Sequence, residues 1–140
     1  MTDSKTDYRH IARRVLKTET EALAALSAGL TETFDQVVER LKTLEGRIIL
    51  VGVGKSGHVA RKISATMAST GSSSLYVHPT EASHGDMGMI ASGDAVIALS
   101  RSGETQELAD VIGYCRRFSI PLIAMTVNAG STLGRAADYL

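Results

Sequence analysis

Three short segments concentrate the side chains of this chain that could do chemistry: Ser100-Arg101-Ser102-Gly103-Glu104-Thr105, Gly52-Val53-Gly54-Lys55-Ser56-Gly57-His58 and Glu81-Ala82-Ser83-His84-Gly85-Asp86. The first places three hydroxyls and a glycine just ahead of an apolar helical pattern. Hydroxyl donors, free backbone N–H groups and the positive end of a helix would converge there, the set of groups that holds a phosphate monoester. Ser and Thr are also ordinary N-caps. Three hydroxyls within six residues, facing a second such loop, favour anion binding.

The second segment matches G-x-G-x-x-G, whose glycines let the backbone approach a ligand closely. A dinucleotide site on that motif expects an acidic residue at the end of the second strand, to hold the ribose hydroxyls. Val77-His78-Pro79 stands there instead, and Glu81 comes late. A Walker A loop would require glycine where Ile49 stands. On the motif alone, a nucleotide site and simple tight packing both stay open. The third segment sets histidine and carboxylates beside glycine, types suited to proton transfer. It lacks H-x-x-x-H or cysteine spacing, so no metal is expected. His10 falls on the surface of the first helical pattern, and Met87 and Met89 are assigned to packing.

The elements that must position these loops are legible as changes of period. Tyr8, Ile11, Ala12, Val15, Leu16, Ala22, Leu23 and Leu26 recur at helical spacing up to Gly29. Phe34, Val37, Val38, Leu41 and Leu44 repeat the pattern, with Gly46 as the expected stop. Ile48-Ile49-Leu50-Val51 then forms a continuous apolar run, the mark of a strand buried on both faces. Leu75–Val77, Ala95–Leu99 and Leu122–Met125 read as further strands. Helical patterns around Val59–Met67 and Leu108–Cys115 separate them. Strand and helix in alternation predict an α/β fold with parallel strands and right-handed crossovers. A fifth strand is expected to begin at Asp138-Tyr139-Leu140. In such sheets, ligands bind outside the carboxyl ends of the strands, where all three segments fall.

The chain has 140 residues, enough for one domain with a continuous core. Lys and Arg together number 15, as do Asp and Glu. That balance lacks the basic footprint of a nucleic-acid binder. The single cysteine, Cys115, excludes an internal disulfide and agrees with a reducing compartment. No signal core or membrane-length apolar run is present, so a cytoplasmic protein is expected.

Taken together, GVGKSGHVARKISATMASTG, VHPTEASHGDMGMI and SRSGETQE, followed by IPLIAMT and RAADYL, resemble the sugar isomerase (SIS) domain. Most specifically they resemble that of the bacterial arabinose-5-phosphate isomerase family. The resemblance covers about residues 10 to 140. It implies a flavodoxin-like parallel sheet of about five strands flanked by helices, preceded by N-terminal helices. The resemblance makes residues 1–140 an SIS domain whose last helices, final active-site histidine and any regulatory CBS pair lie beyond Leu140. It implies interconversion of D-ribulose 5-phosphate and D-arabinose 5-phosphate for Kdo and lipopolysaccharide synthesis, without a cofactor. Lys55, His84 and Glu107 match the family's active-site lysine, histidine and glutamate. Ser56, Ser100, Ser102, Gly103 and Thr105 match its ligand loops. Dimers or tetramers with shared sites are implied, and the apolar prefix helices, richer in apolar residues than one sheet face needs, point the same way.

Moving a carbonyl between C1 and C2 requires a base for the carbon-bound proton, a donor for the developing oxyanion and an anchor for the phosphate. At about 100° per residue, Glu107 is expected on the flank of the stripe of Leu108, Val111 and Ile112, partly buried and sharing a helix side with Glu104. The helix dipole alone would explain Glu104. A non-catalytic SIS module that binds a sugar phosphate for regulation is the alternative; it would need the phosphate loop and no base. A nicotinamide enzyme would rest on the glycine loop alone. The phosphate loop predicts that Ser102→Ala weakens binding of ribulose 5-phosphate by about 10- to 150-fold, the loss of one charged hydrogen bond. Calorimetry showing unchanged affinity would place the phosphate elsewhere.

Overall fold

A strand with apolar side chains on both faces is stable only between two layers, and the computed structural model, which describes residues 7–140, shows that sandwich. The elements in chain order are α1 (Tyr8–Ala28), α2 (Glu32–Lys42), β1 (Ile48–Gly52), α3 (Gly54–Ser69), β2 (Ser74–Val77), α4 (Pro79–Ser83), β3 (Ala95–Leu99), α5 (Ala109–Phe118), β4 (Leu122–Met125) and α6 (Thr132–Ala136). Short 3₁₀ turns at Asp86–Met89 and Gln106–Leu108 complete the path. All four strands are parallel, in the order β2-β1-β3-β4. This is the flavodoxin-like order, with its switch point between β1 and β3.

Every residue of β1 and β3 is buried, and their alternation assigns each face a partner. Ile49, Val51, Val96, Ala98, Leu122 and Ala124 pack with Leu108, Val111, Cys115 and Leu133. Ile48, Leu50, Ile97, Leu99 and Ile123 face Ala60, Ile63 and Met67 of α3, with Val37 and Leu41 of α2. Cys115 is buried in the first layer, and burial pushes its thiol up to about 12, so it is an inert packing residue.

The expected fifth strand is reduced to one parallel bridge, Tyr139 with Ile123. The Asp138 and Tyr139 N–H groups donate to Leu122 O, and Ala124 N–H donates to Tyr139 O. One bridged pair falls short of a ladder, so the sheet has four strands among the described residues. The second helix ends at Lys42 rather than beside Gly46. Met87 packs on the core as expected, whereas Met89 is exposed and offers its carbonyl to Arg47.

The chain divides into two compact units, residues up to Phe34 and Asp35–Leu140, with α2 crossing the boundary. In the first unit, the Asp7 carboxylate caps α1 by accepting from the Arg9 and His10 N–H groups, and Gly29 closes its other end. No residue of α1 is buried: Tyr8, Ile11, Val15, Leu16, Leu23 and Leu26 are all exposed, as is His10. No helix among the described residues is long and apolar enough to cross a membrane.

Candidate active site

Parallel strands release their chains at the same edge, so the turns after β1, β3 and β4 converge. The first turn is shaped by close approach. A Cβ at Gly57 would lie 2.7 Å from Gly52 O and 2.9 Å from the Tyr76 hydroxyl. That hydroxyl donates to Gly52 O at 2.8 Å, and the Arg61 guanidinium stacks over the Tyr76 ring. Gly52 and Gly57 therefore serve helix-on-strand packing, and Gly54 the left-handed φ of +57° that starts α3. They also leave the start of α3 open, since Val53 provides no side-chain cap and the first turn holds no acidic residue. Lys55 is exposed there and Ser56 half-buried.

The turn after β3 is held by its own polar groups. The buried Ser100 hydroxyl accepts from Gly103 N–H at 3.0 Å and lies 2.8 Å from the Thr105 hydroxyl. Ser102 Oγ accepts from Glu104 N–H at 3.2 Å. Gly103 has φ +71°, and a Cβ there would collide with the Ser131 side chain. The turn after β4 braces this loop along its length. Val127 N–H and Thr126 Oγ1 donate to Arg101 O, and Leu133 N–H donates to Gly103 O. Thr132 N–H and Oγ1 donate to the two carboxylate oxygens of Glu104, at 2.8 and 2.6 Å. The Thr132 hydroxyl first, then its N–H, hold the Glu104 carboxyl below its ordinary range.

Between these turns lies a hollow of about 510 Å³, lined by Lys55, Ser56, Ser100, Arg101, Ser102 and Thr105 with Val53 and Val127. A neighbouring apolar hollow of about 440 Å³ shares Lys55, Ser56, Ser100, Arg101 and Val127 with it and adds Val59, Leu99, Met125 and Thr126. A larger cavity of about 730 Å³ opens at the amino end of β4, beside Pro121, Leu122 and Asp138. It contains none of the predicted site residues.

Five of the eight predicted site residues thus line one hollow, and Gly103 shapes the loop beneath it. His84 and Glu107 do not line it. His84 follows α4 and is exposed, and Glu107 is exposed in the 3₁₀ turn, not partly buried. The expected pairing of Glu104 and Glu107 on one helix side also fails. Glu104 precedes the helical turn and serves α6 instead, so the dipole of its own helix does not account for it. Sequence reasoning leaves Arg101 without a role, although it lines both hollows. It also misses the contribution of Thr126 and Val127. The signal for both is topological, because β4 neighbours β3 and its exit must face the 100–105 loop.

The SIS domain model matches residues 43–140. An uncharacterized protein of Rickettsia prowazekii is 52% identical over 96% of this chain and 42% of its own length. The arabinose 5-phosphate isomerase KdsD of Pseudomonas aeruginosa is 48% identical over 94% of this chain and 40% of its own length. The chain therefore spans about two fifths of the curated relatives it matches. Among solved structures, E. coli CFT073 c3406 in complex with arabinose 5-phosphate superposes with a TM-score of 0.89 at 37% identity, covering 97% of this chain and 72% of that one.

The contact of Gly103 with Ser131 generates a stability prediction. Gly103→Ala should destabilise the chain by more than the about 1–2 kcal/mol of left-handed strain alone, because the methyl meets Ser131. Adding Ser131→Gly should recover part of the loss. Urea unfolding with an unchanged midpoint for the single variant would contradict the packing.

Proposed function

Since this chain belongs to the SIS domain family, we propose that it binds a sugar phosphate in the 510 Å³ hollow and belongs to an isomerase that interconverts D-ribulose 5-phosphate and D-arabinose 5-phosphate. One observation carries the reading: a lysine and four hydroxyl side chains from two different strand ends meet at the sheet's switch point. The uncapped start of α3 adds free N–H donors on the same side, which suits a dianionic phosphate. The relatives named for arabinose 5-phosphate isomerase, and the complex with arabinose 5-phosphate, support the choice of sugar.

The phosphate is anchored by Ser56, Ser102 and Thr105, with Gly103 giving the loop its turn. Ser100 acts mostly by bracing the loop. A base removes a proton from C1 of ribulose 5-phosphate, the C–H electrons form the C1=C2 bond, and O2 gains a proton to give the cis-enediol. Reprotonation at C2 with loss of the O1 proton yields the aldose. Lys55 stabilises the oxygen that becomes negative. Glu107 is assigned as the base and His84 as the acid or base for ring opening of the aldose, both on the motif match. Neither lines the hollow within one chain, which fits sites shared between copies. Self-association into a dimer or tetramer is accordingly part of the proposal, and the exposed apolar face of α1 offers surface for it. The link to Kdo and lipopolysaccharide synthesis rests on the resemblance to the arabinose-5-phosphate isomerase family.

Two measurements test the proposal. Sedimentation at micromolar concentration should show a species larger than the monomer; a monomer alone would remove the shared-site argument. In D2O without added cofactor, the full-length protein should exchange the C1 proton of ribulose 5-phosphate catalytically. Glu107→Gln should lower kcat by about 10²–10⁴-fold, the usual worth of a positioned base, with little change in affinity. No exchange by the native protein would favour a regulatory module. Exchange at a near-normal rate by Glu107→Gln would move the base to His84.

A further inference from the structure

Glu104 is an anionic residue in the middle of a loop assigned to binding an anion, an arrangement that would repel the ligand if the carboxylate faced it. The structure turns it away. Both carboxylate oxygens are taken by Thr132, 28 positions later in the chain, and Glu104 does not line the hollow that its neighbours Ser102 and Thr105 line. The next residues repeat the attachment. Leu133 N–H donates to Gly103 O, and Ser131, fully buried, fills the space where a side chain on Gly103 would stand. Backbone and side-chain groups of the two loops are thus interlocked at consecutive residues, 103–104 against 131–133.

We infer that Glu104 and Thr132 form a clasp that positions the 100–105 loop and keeps its carboxylate out of the anion site, so that Glu104 is a positioning residue for phosphate affinity with no part in proton transfer. The inference rests on the phosphate reading of the hollow. It separates charge from anchorage in a way a merely structural contact does not. Thr132→Val removes the shorter hydrogen bond and leaves a carboxylate that can swing toward the ligand. Glu104→Gln keeps an acceptor for the Thr132 N–H and removes the charge. A loss of affinity in the first should therefore be relieved by the second in the same chain.

The experiment is calorimetric titration of the full chain with inorganic phosphate and with ribulose 5-phosphate, alongside kcat and KM where turnover is measurable. Thr132→Val should weaken both ligands by about tenfold, the scale of one charge-assisted hydrogen bond, and raise KM with kcat nearly constant. Thr132→Ser, which keeps the hydroxyl, and Glu104→Gln should each stay within about threefold of the native chain, and the Thr132→Val/Glu104→Gln pair should return to that range. Native affinity in Thr132→Val, with Ser102→Ala weakened, would overturn the clasp and leave the phosphate reading intact. A loss in Thr132→Val that Glu104→Gln fails to relieve would also overturn it, because the loop would then merely be disordered. If the native chain binds neither ligand, the phosphate reading itself fails and the clasp falls with it.

Discussion

β1 and β3 lie side by side in parallel from Ile48 with Ala95 to Gly52 with Leu99, and every one of their side chains is covered. That pairing constrains nearly everything else. A sheet buried on both faces has no room for a polar ligand along its strands, so the polar chemistry is pushed to the carboxyl ends. There the chain leaves β1 toward β2 and leaves β3 toward β4, on opposite sides, and a gap opens between the two exits. The gap holds Lys55 and Ser56 from one exit and Ser102 and Thr105 from the other. Residues about fifty positions apart become neighbours because two apolar runs had to be adjacent.

The loop in that gap shows how a short polar segment holds a shape before any ligand arrives. Ser100, buried at the end of β3, supplies a hydroxyl to Gly103 and Thr105, and Ser102 receives the Glu104 N–H. Buried polar groups need such partners, and a loop that satisfies them internally is pre-organised for binding. Its rigidity comes equally from outside, through Thr126, Val127 and the start of α6.

Much of this is legible in residue order. Continuous runs such as Ile48–Val51 and Ala95–Leu99 announce doubly buried strands, and the alternation with helical patterns sets the parallel order. Lys55, Ser56, Ser100, Ser102 and Thr105 fall at strand exits on the same grounds. What is not legible depends on local winding or on distant partners. Glu104 and Glu107 read as one helical face only under an α-helical period, whereas the chain enters α5 through a 3₁₀ turn that begins at Gln106. The bond from Glu104 to Thr132 reaches across a helix and a strand, and no local pattern encodes it. Gly46 reads as a helix stop, although α2 has already ended at Lys42. The expected fifth strand amounts to a single bridge at Tyr139.

The dependence of the 100–105 loop on residues 125–133 also sets an order of events during synthesis. Ser100 N–H pairs with Met125 O, Arg101 O is held from Val127, and Gly103 rests on Ser131. A growing chain that has released β3 but not β4 therefore lacks these partners, and the loop is left with only the bonds internal to it. Domains fold as units, and loop-closure entropy opposes contacts between distant segments until both are present. The hollow between these turns is accordingly complete only once α6 has docked, and a nascent chain halted before α6 would lack Ser131 and Leu133, which meet Gly103 from outside the loop.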